Sequence, residues 1–167
     1  ETRFSKMLSK LDVPAIAIPH FHARMVDPVD DEVMRLYEVY SCHQQNTLDK
    51  KLQELLARGL KRGVVGGSDT HRMPVGSLCP DPDSIWNQPD EQASGFSCSQ
   101  SIQKKCGLQA VFARSLTRKA LFNAMCSRQT YATTGARIIL HFSCGEVPMG
   151  STVRLPENQK PSFTVCA

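Results

Sequence analysis

VVGGSDTH, residues 64–71, is a short apolar run that breaks into paired glycines and then into an acid and a histidine. Two β-branched residues before glycine fit a buried strand of a parallel sheet, where both faces are covered and polar alternation is not needed. Alternate residues of an extended segment point the same way, so Asp69 and His71 share a direction as the strand ends. Gly66 and Gly67 permit close backbone approach beside them. The alternative is an Asx turn followed by an ordinary loop histidine.

Working outward, Leu36–Tyr40 (LYEVY) reads as a strand, and Thr47–Arg62 as an amphipathic helix with Leu48, Leu52, Leu55, Leu56 and Leu60 on one side. Further upstream, Phe4, Met7, Leu8 and Leu11 recur at helical spacing, and Val13–Ile18 is a short apolar run predicted to be a buried strand. Downstream, Leu108–Ala113 predicts another strand, and Thr117 opens a helix carrying Leu121, Phe122 and Met125. Strands that alternate with helices predict a parallel α/β sheet. Residues 72–107 carry Pro, Ser, Asp, Gln and Gly without periodicity and predict a long functional or mobile loop. From Tyr131 the pattern changes. Ala136–Phe142 is strand-like, Cys144–Gly150 is turn-rich, Ser151–Leu155 fits a returning strand, and SFTVCA at 162–167 fits one more. The expected organisation is an α/β part over residues 1–130, containing the 72–107 loop, and an appended antiparallel β segment over 131–167.

A chain of 167 residues supports one domain or a piece of one, and falls short of the roughly 250 residues of a complete β/α barrel. Its 41% apolar and 22% charged residues are those of an ordinary soluble globular protein. The net charge of +4 arises from 20 basic and 16 acidic residues scattered along the chain, which argues against a nucleic-acid partner. Seven cysteines, an odd number with no C-x-x-C pair, predict mostly free thiols in a reducing compartment. No apolar run reaches the ~20 residues of a membrane span and no signal peptide is visible, so no membrane partner is expected and the compartment stays open. The first residue is Glu1 rather than Met, and residues upstream are expected to be missing.

Three predicted strands end near side chains that bind metals. Ile16–Pro19 runs into His20, with His22 beyond it; Glu38 lies inside LYEVYS, with His43 following; and VVGGS runs into Asp69 and His71. In parallel α/β folds, ligands gather at the carboxyl ends of strands, where loops converge on a rigid frame. Imidazole nitrogen and carboxylate oxygen together suit Zn, Mn or Fe as divalent ions, and a carboxylate can bridge two of them. Such a site yields hydroxide from bound water near neutral pH and neutralises phosphoryl charge, which favours hydrolysis. Glu38 in a buried strand needs a partner or a metal, whereas on an edge strand it would be solvated. His20 also fits a capped loop histidine. His22 and His43 fit polar loop positions as well as a place in the metal site or pocket, and His141 fits surface or packing.

The ordered set IPHFH (18–22), YEVYSCH (37–43), GGSDTHR (66–72), LQAVFARSLTRKALFNAM (108–125), RQTYATTGARIILHF (128–142) and PMG (148–150) resembles the carboxyl-terminal half of the PHP (polymerase and histidinol phosphatase) superfamily. Within it, the text is similar to the DUF3604 branch. The resemblance implies a distorted β/α barrel, here partial, with two or three divalent ions and phosphoesterase-like hydrolysis of a small anionic ester by metal-bound hydroxide. By position it implies His20, Glu38, Asp69 and His71 as metal ligands, Glu38 being the bridging one. Arg72, Arg128 and Tyr131 fall in motifs typical of the branch and are expected to contact the anionic substrate. Two departures stand out. The family pattern has adjacent histidines where Phe21 separates His20 from His22, and its early H-x-H motif and next ligand histidine have no counterpart in this chain. The site is therefore expected to be completed by a missing N-terminal segment or another chain. The alternative is a catalytically degenerate PHP-like domain with a binding or assembly role.

Overall fold

The computed structural model describes residues 7, 10–20, 33–41, 50–67 and 107–167. At its centre, strand β1 (Leu36–Ser41) and strand β2 (Gly63–Gly67) pair in parallel, with Leu36 opposite Gly63 and Ser41 opposite Gly67. Both were predicted. The register shifts between Glu38 and Tyr40, which places an extra residue, Val39, in β1 as a bulge. β1 is covered nearly throughout, Leu36 and Ser41 being fully buried, as a parallel strand requires.

Helix α1 (Lys50–Ala57) joins these strands on the chain and buries Leu55. The first part of the predicted 47–62 helix lies outside the described residues. Its end falls earlier than the leucine pattern implied, for a local reason. Gly59, at φ 81°, donates to the Leu56 carbonyl and Leu60 donates to the Leu55 carbonyl, the paired bonds of a Schellman cap. Leu60 thus belongs to the turn after the helix.

Val13–Ile18, predicted as a buried strand, lies outside any sheet, with Val13 and Ile18 exposed. Pro14 and Pro19 lack the N–H groups that a continuous ladder needs. Two backbone bonds nevertheless tie the segment to β1 and the residues before it: Ala17 N–H to the Val33 carbonyl (3.0 Å) and Glu38 N–H to the Pro19 carbonyl (3.4 Å). Of the helix expected over residues 2–11, only Met7, Lys10 and Leu11 are described.

Strand β3 (Leu108–Val111) pairs antiparallel with β4 (Thr130–Thr133), so the strand predicted over Leu108–Ala113 does not extend the parallel pair by its own ladder. Between them runs helix α2 (Arg118–Cys126), capped by Thr117, whose hydroxyl accepts from Ala120 N–H at 3.2 Å. Its far end repeats the Schellman pattern: Arg128 N–H bonds the Met125 carbonyl and Gln129 N–H bonds the Ala124 carbonyl, with Arg128 itself at φ 58°. The Arg35 guanidinium reaches the carbonyl of Cys126, a cation on the negative end of α2.

The β3–β4 pair lies tightly against β1–β2 because glycine leaves room. A Cβ on Gly66 would stand 3.0 Å from the Leu108 carbonyl oxygen and 3.3 Å from the Ala132 Cβ; one on Gly107 would stand 2.6 Å from the Tyr40 ring and 2.7 Å from the Gly67 carbonyl oxygen. Met34, Leu36, Tyr37, Tyr40, Leu55, Val65, Ala124 and Tyr131 make up the buried apolar core.

The C-terminal part is antiparallel β structure, as expected, with different members. β5 (His141–Cys144) is flanked by β6 (Val147–Pro148) and β7 (Phe163–Cys166). β5 and β6 enclose the turn Gly145–Glu146, with Gly145 at φ 57° as a primed hairpin turn requires. Ser151–Leu155, read as a returning strand, is exposed and outside any sheet; β7 takes that place beside β5. Phe112 packs against His141 with the rings tilted and their centroids 5.3 Å apart, joining this sheet to β3–β4. The molecule is mixed α/β with small sheets, and among the described residues no closed barrel is present. No described helix is long and apolar enough to cross a membrane.

Candidate functional site

Glu38 occupies the middle of β1, immediately before the Val39 bulge, where pairing with β2 is re-set from Val65 to Gly66. Bulges re-aim the side chains beside them and recur next to active sites. The bond from Glu38 N–H to Pro19 draws residues 15–19 alongside β1, and the next residue, His20, arrives at the carboxylate. His20 Nδ1 is hydrogen-bonded to Glu38 Oε2. The carboxylate side chain is only 12% exposed, while the imidazole is 45% exposed. A covered acid and a half-open base are thus held together by backbone bonds of two different segments.

The donor types fit a divalent ion. Imidazole and carboxylate are the borderline-to-hard donors that Zn, Mn and Fe accept, and a carboxylate on one ring nitrogen fixes the orientation of a histidine. Two donors do not make a complete site, and among the described residues no group of three or more His, Cys, Asp or Glu converges. The other expected ligands and pocket residues, Asp69, His71, His22, His43 and Arg72, lie outside the described residues. β1 and β2 run parallel, so the chain leaves both at one edge, with Gly67 beside Ser41 and two residues before Asp69 on the chain.

Arg128 and Tyr131 are found together, in a different place from the His20–Glu38 pair. Tyr131 is buried, its hydroxyl donating to the Ile138 carbonyl at 2.6 Å. Arg128 donates from Nη2 to the Gly150 carbonyl at 3.0 Å. Both line a cleft of about 520 Å³ where the end of α1, the start of β2 and the C-terminal β segment meet; neither His20 nor Glu38 lines it. Lys61 and Arg62 stand on the same cleft, and Arg62 is buried at 8% exposure. The sequence reading missed that pair by assigning it to the helix. Gly59, read as a helix stop, would have freed it.

Residues 51–147, more than half of the chain, match the family described as Protein of unknown function (DUF3604). An uncharacterized protein of Chlamydia trachomatis is 45% identical over 140 residues, covering 74% of this chain and 20% of the relative. Uncharacterized proteins of Chlamydia pneumoniae and Chlamydia muridarum are 40% identical over 67 residues and 45% identical over 58 residues. These alignments cover 40% and 35% of this chain but only 10% and 9% of the relatives, so the chain spans a small part of the length of the curated relatives it matches. No solved structure matches it. With β2, β3, α2, β4 and β5 inside the matched residues, and α1 from its second residue onward, the chain belongs to the DUF3604 family.

Proposed function

We propose that this chain contributes part of a metal-dependent hydrolase centre of the PHP type, acting on a small anionic ester in the manner of a phosphoesterase. The observation that supports the reading is the meeting of His20 and Glu38, two residues 18 positions apart in the sequence whose donor types both suit a divalent ion. His20, Glu38, Asp69 and His71 would hold the ions. When bound, a divalent ion there lowers the pKa of a coordinated water to about 7 and offsets charge on a phosphoryl oxygen. The protein's own part is positional: Pro19 and the bulged β1 fix the imidazole and the carboxylate, and the covered setting of Glu38 excludes bulk water from one side. In this reading the α/β part, residues 1–130, supplies one portion of a distorted β/α barrel. A further segment or chain supplies the remaining ligands, and residues 131–167 are a β-rich appendage.

The test is metal content and hydrolysis in the same preparation. Elemental analysis of the full-length protein is expected to find Zn, Mn or Fe that is lost in Glu38→Gln and in Asp69→Ala, together with cleavage of p-nitrophenyl phosphate. A protein without transition metal, in which neither substitution changes any activity, would leave the degenerate, binding-only reading in its place.

A further inference from the structure

The side chains that line the cleft at the start of β2 are of two kinds. One is apolar: Leu56 and Phe142, large side chains that remain 47% and 39% exposed, together with Leu60 and Met149. The other is cationic, from Lys61, Arg62 and Arg128. Among the described residues that line it there is no carboxylate. Its volume of about 520 Å³ lies within the range of small-molecule sites. The hydroxyls of Thr130 and Tyr131 are occupied by the Val64 and Ile138 carbonyls, which keeps them as rigid lining.

Arg128 shows most plainly how the cationic lining is held in place. It sits at the αL position that ends α2, at φ 58°, where glycine is the favoured residue and a larger side chain costs roughly 1 kcal/mol. A guanidinium has five N–H donors, and the bond to Gly150 takes one. That bond orients the group within the lining of the cleft.

We propose that this cleft is a binding site for an amphipathic organic anion, with a phosphate or carboxylate head on Lys61, Arg62 and Arg128 and an apolar body against Leu56 and Phe142. Charge complementarity selects the head and the exposed apolar side chains select the body. Neither feature depends on the His20–Glu38 pair, so the proposal stands or falls apart from the metal reading.

The experiment uses octyl phosphate as probe, followed by ¹H–¹⁵N correlation spectra of the labelled protein. Saturable shifts are expected at Gly63, Gly150 and Ser151, with no saturable response to octyltrimethylammonium, which has the same tail and the opposite charge. Arg128→Gly, which suits the αL backbone, is expected to weaken binding at least tenfold, and Lys61→Gln, on an exposed side chain, several-fold. Inorganic phosphate alone is expected to bind at least tenfold more weakly than octyl phosphate. Equal shifts with the cationic amphiphile, no shift with octyl phosphate, or undiminished binding in folded Arg128→Gly and Lys61→Gln would each overturn the proposal.

Discussion

Glu38 stands in a strand whose neighbours are buried tyrosines, a setting in which a carboxylate needs a partner because desolvation penalises an unpaired charge. His20 is one such partner in the described structure. His20→Ala removes that hydrogen bond from a covered carboxylate, so it is expected to cost about 1–3 kcal/mol in urea denaturation. Glu38→Gln keeps shape and hydrogen-bonding capacity, so its stability is expected to remain within about 1 kcal/mol of the parent while metal retention is lost. A larger loss of stability in either variant would assign the pair a structural role. Candidates for this pair were legible from residue type and from their place beside predicted strands. Their contact was not, because it depends on where Pro19 docks against β1.

Helix boundaries carry their own signals, and here they were only partly used. Thr117 was read as the start of α2 and caps it by accepting from Ala120, so Thr117→Ala is expected to cost about 1 kcal/mol in chemical denaturation. The end of α1 shows the opposite case. The leucine spacing continues to Leu60, but Gly59 at φ 81° turns the chain, and a short-range cap overrode the longer periodic pattern. A Cβ at Gly59 meets nothing within 4 Å, so Gly59→Ala is expected to cost only the backbone term, about 1 kcal/mol. β4 escaped notice because TYAT is four residues long and follows a helix without a glycine or proline to mark the break. Val13–Ile18 was overread for the converse reason: an apolar run between prolines has strand composition without strand hydrogen-bonding capacity.

At the scale of the molecule, the two strand pairs are held close by positions that tolerate no side chain. Gly107→Ala would place a methyl 2.6 Å from the Tyr40 ring and 2.7 Å from the Gly67 carbonyl oxygen, with backbone on one side that cannot rotate away. The expected cost is about 1–3 kcal/mol in thermal or chemical denaturation. Because Gly67 leads directly towards Asp69, metal retention in the full-length protein is expected to fall as well. An alanine at 107 that leaves both properties unchanged would show that the strand pairs can separate without consequence. The same closeness explains the paired glycines of VVGGSDTH: Gly66 admits the backbone of Leu108 and the methyl of Ala132.

The sequence by itself determined the elements whose signals are local: β1 and β2 from short runs rich in β-branched and aromatic residues, α2 from its cap and spacing, and the change to antiparallel structure near the C terminus. It also determined the family, through an ordered set of motifs. Only the tertiary structure decided that β3 pairs antiparallel with β4, that β7 rather than residues 151–155 flanks β5, and that Lys61, Arg62 and Arg128 share one cleft. The reason is physical. Periodicity and capping act over a few residues, whereas strand partners and cleft walls come from segments tens of residues apart, chosen by where glycine allows one backbone to approach another.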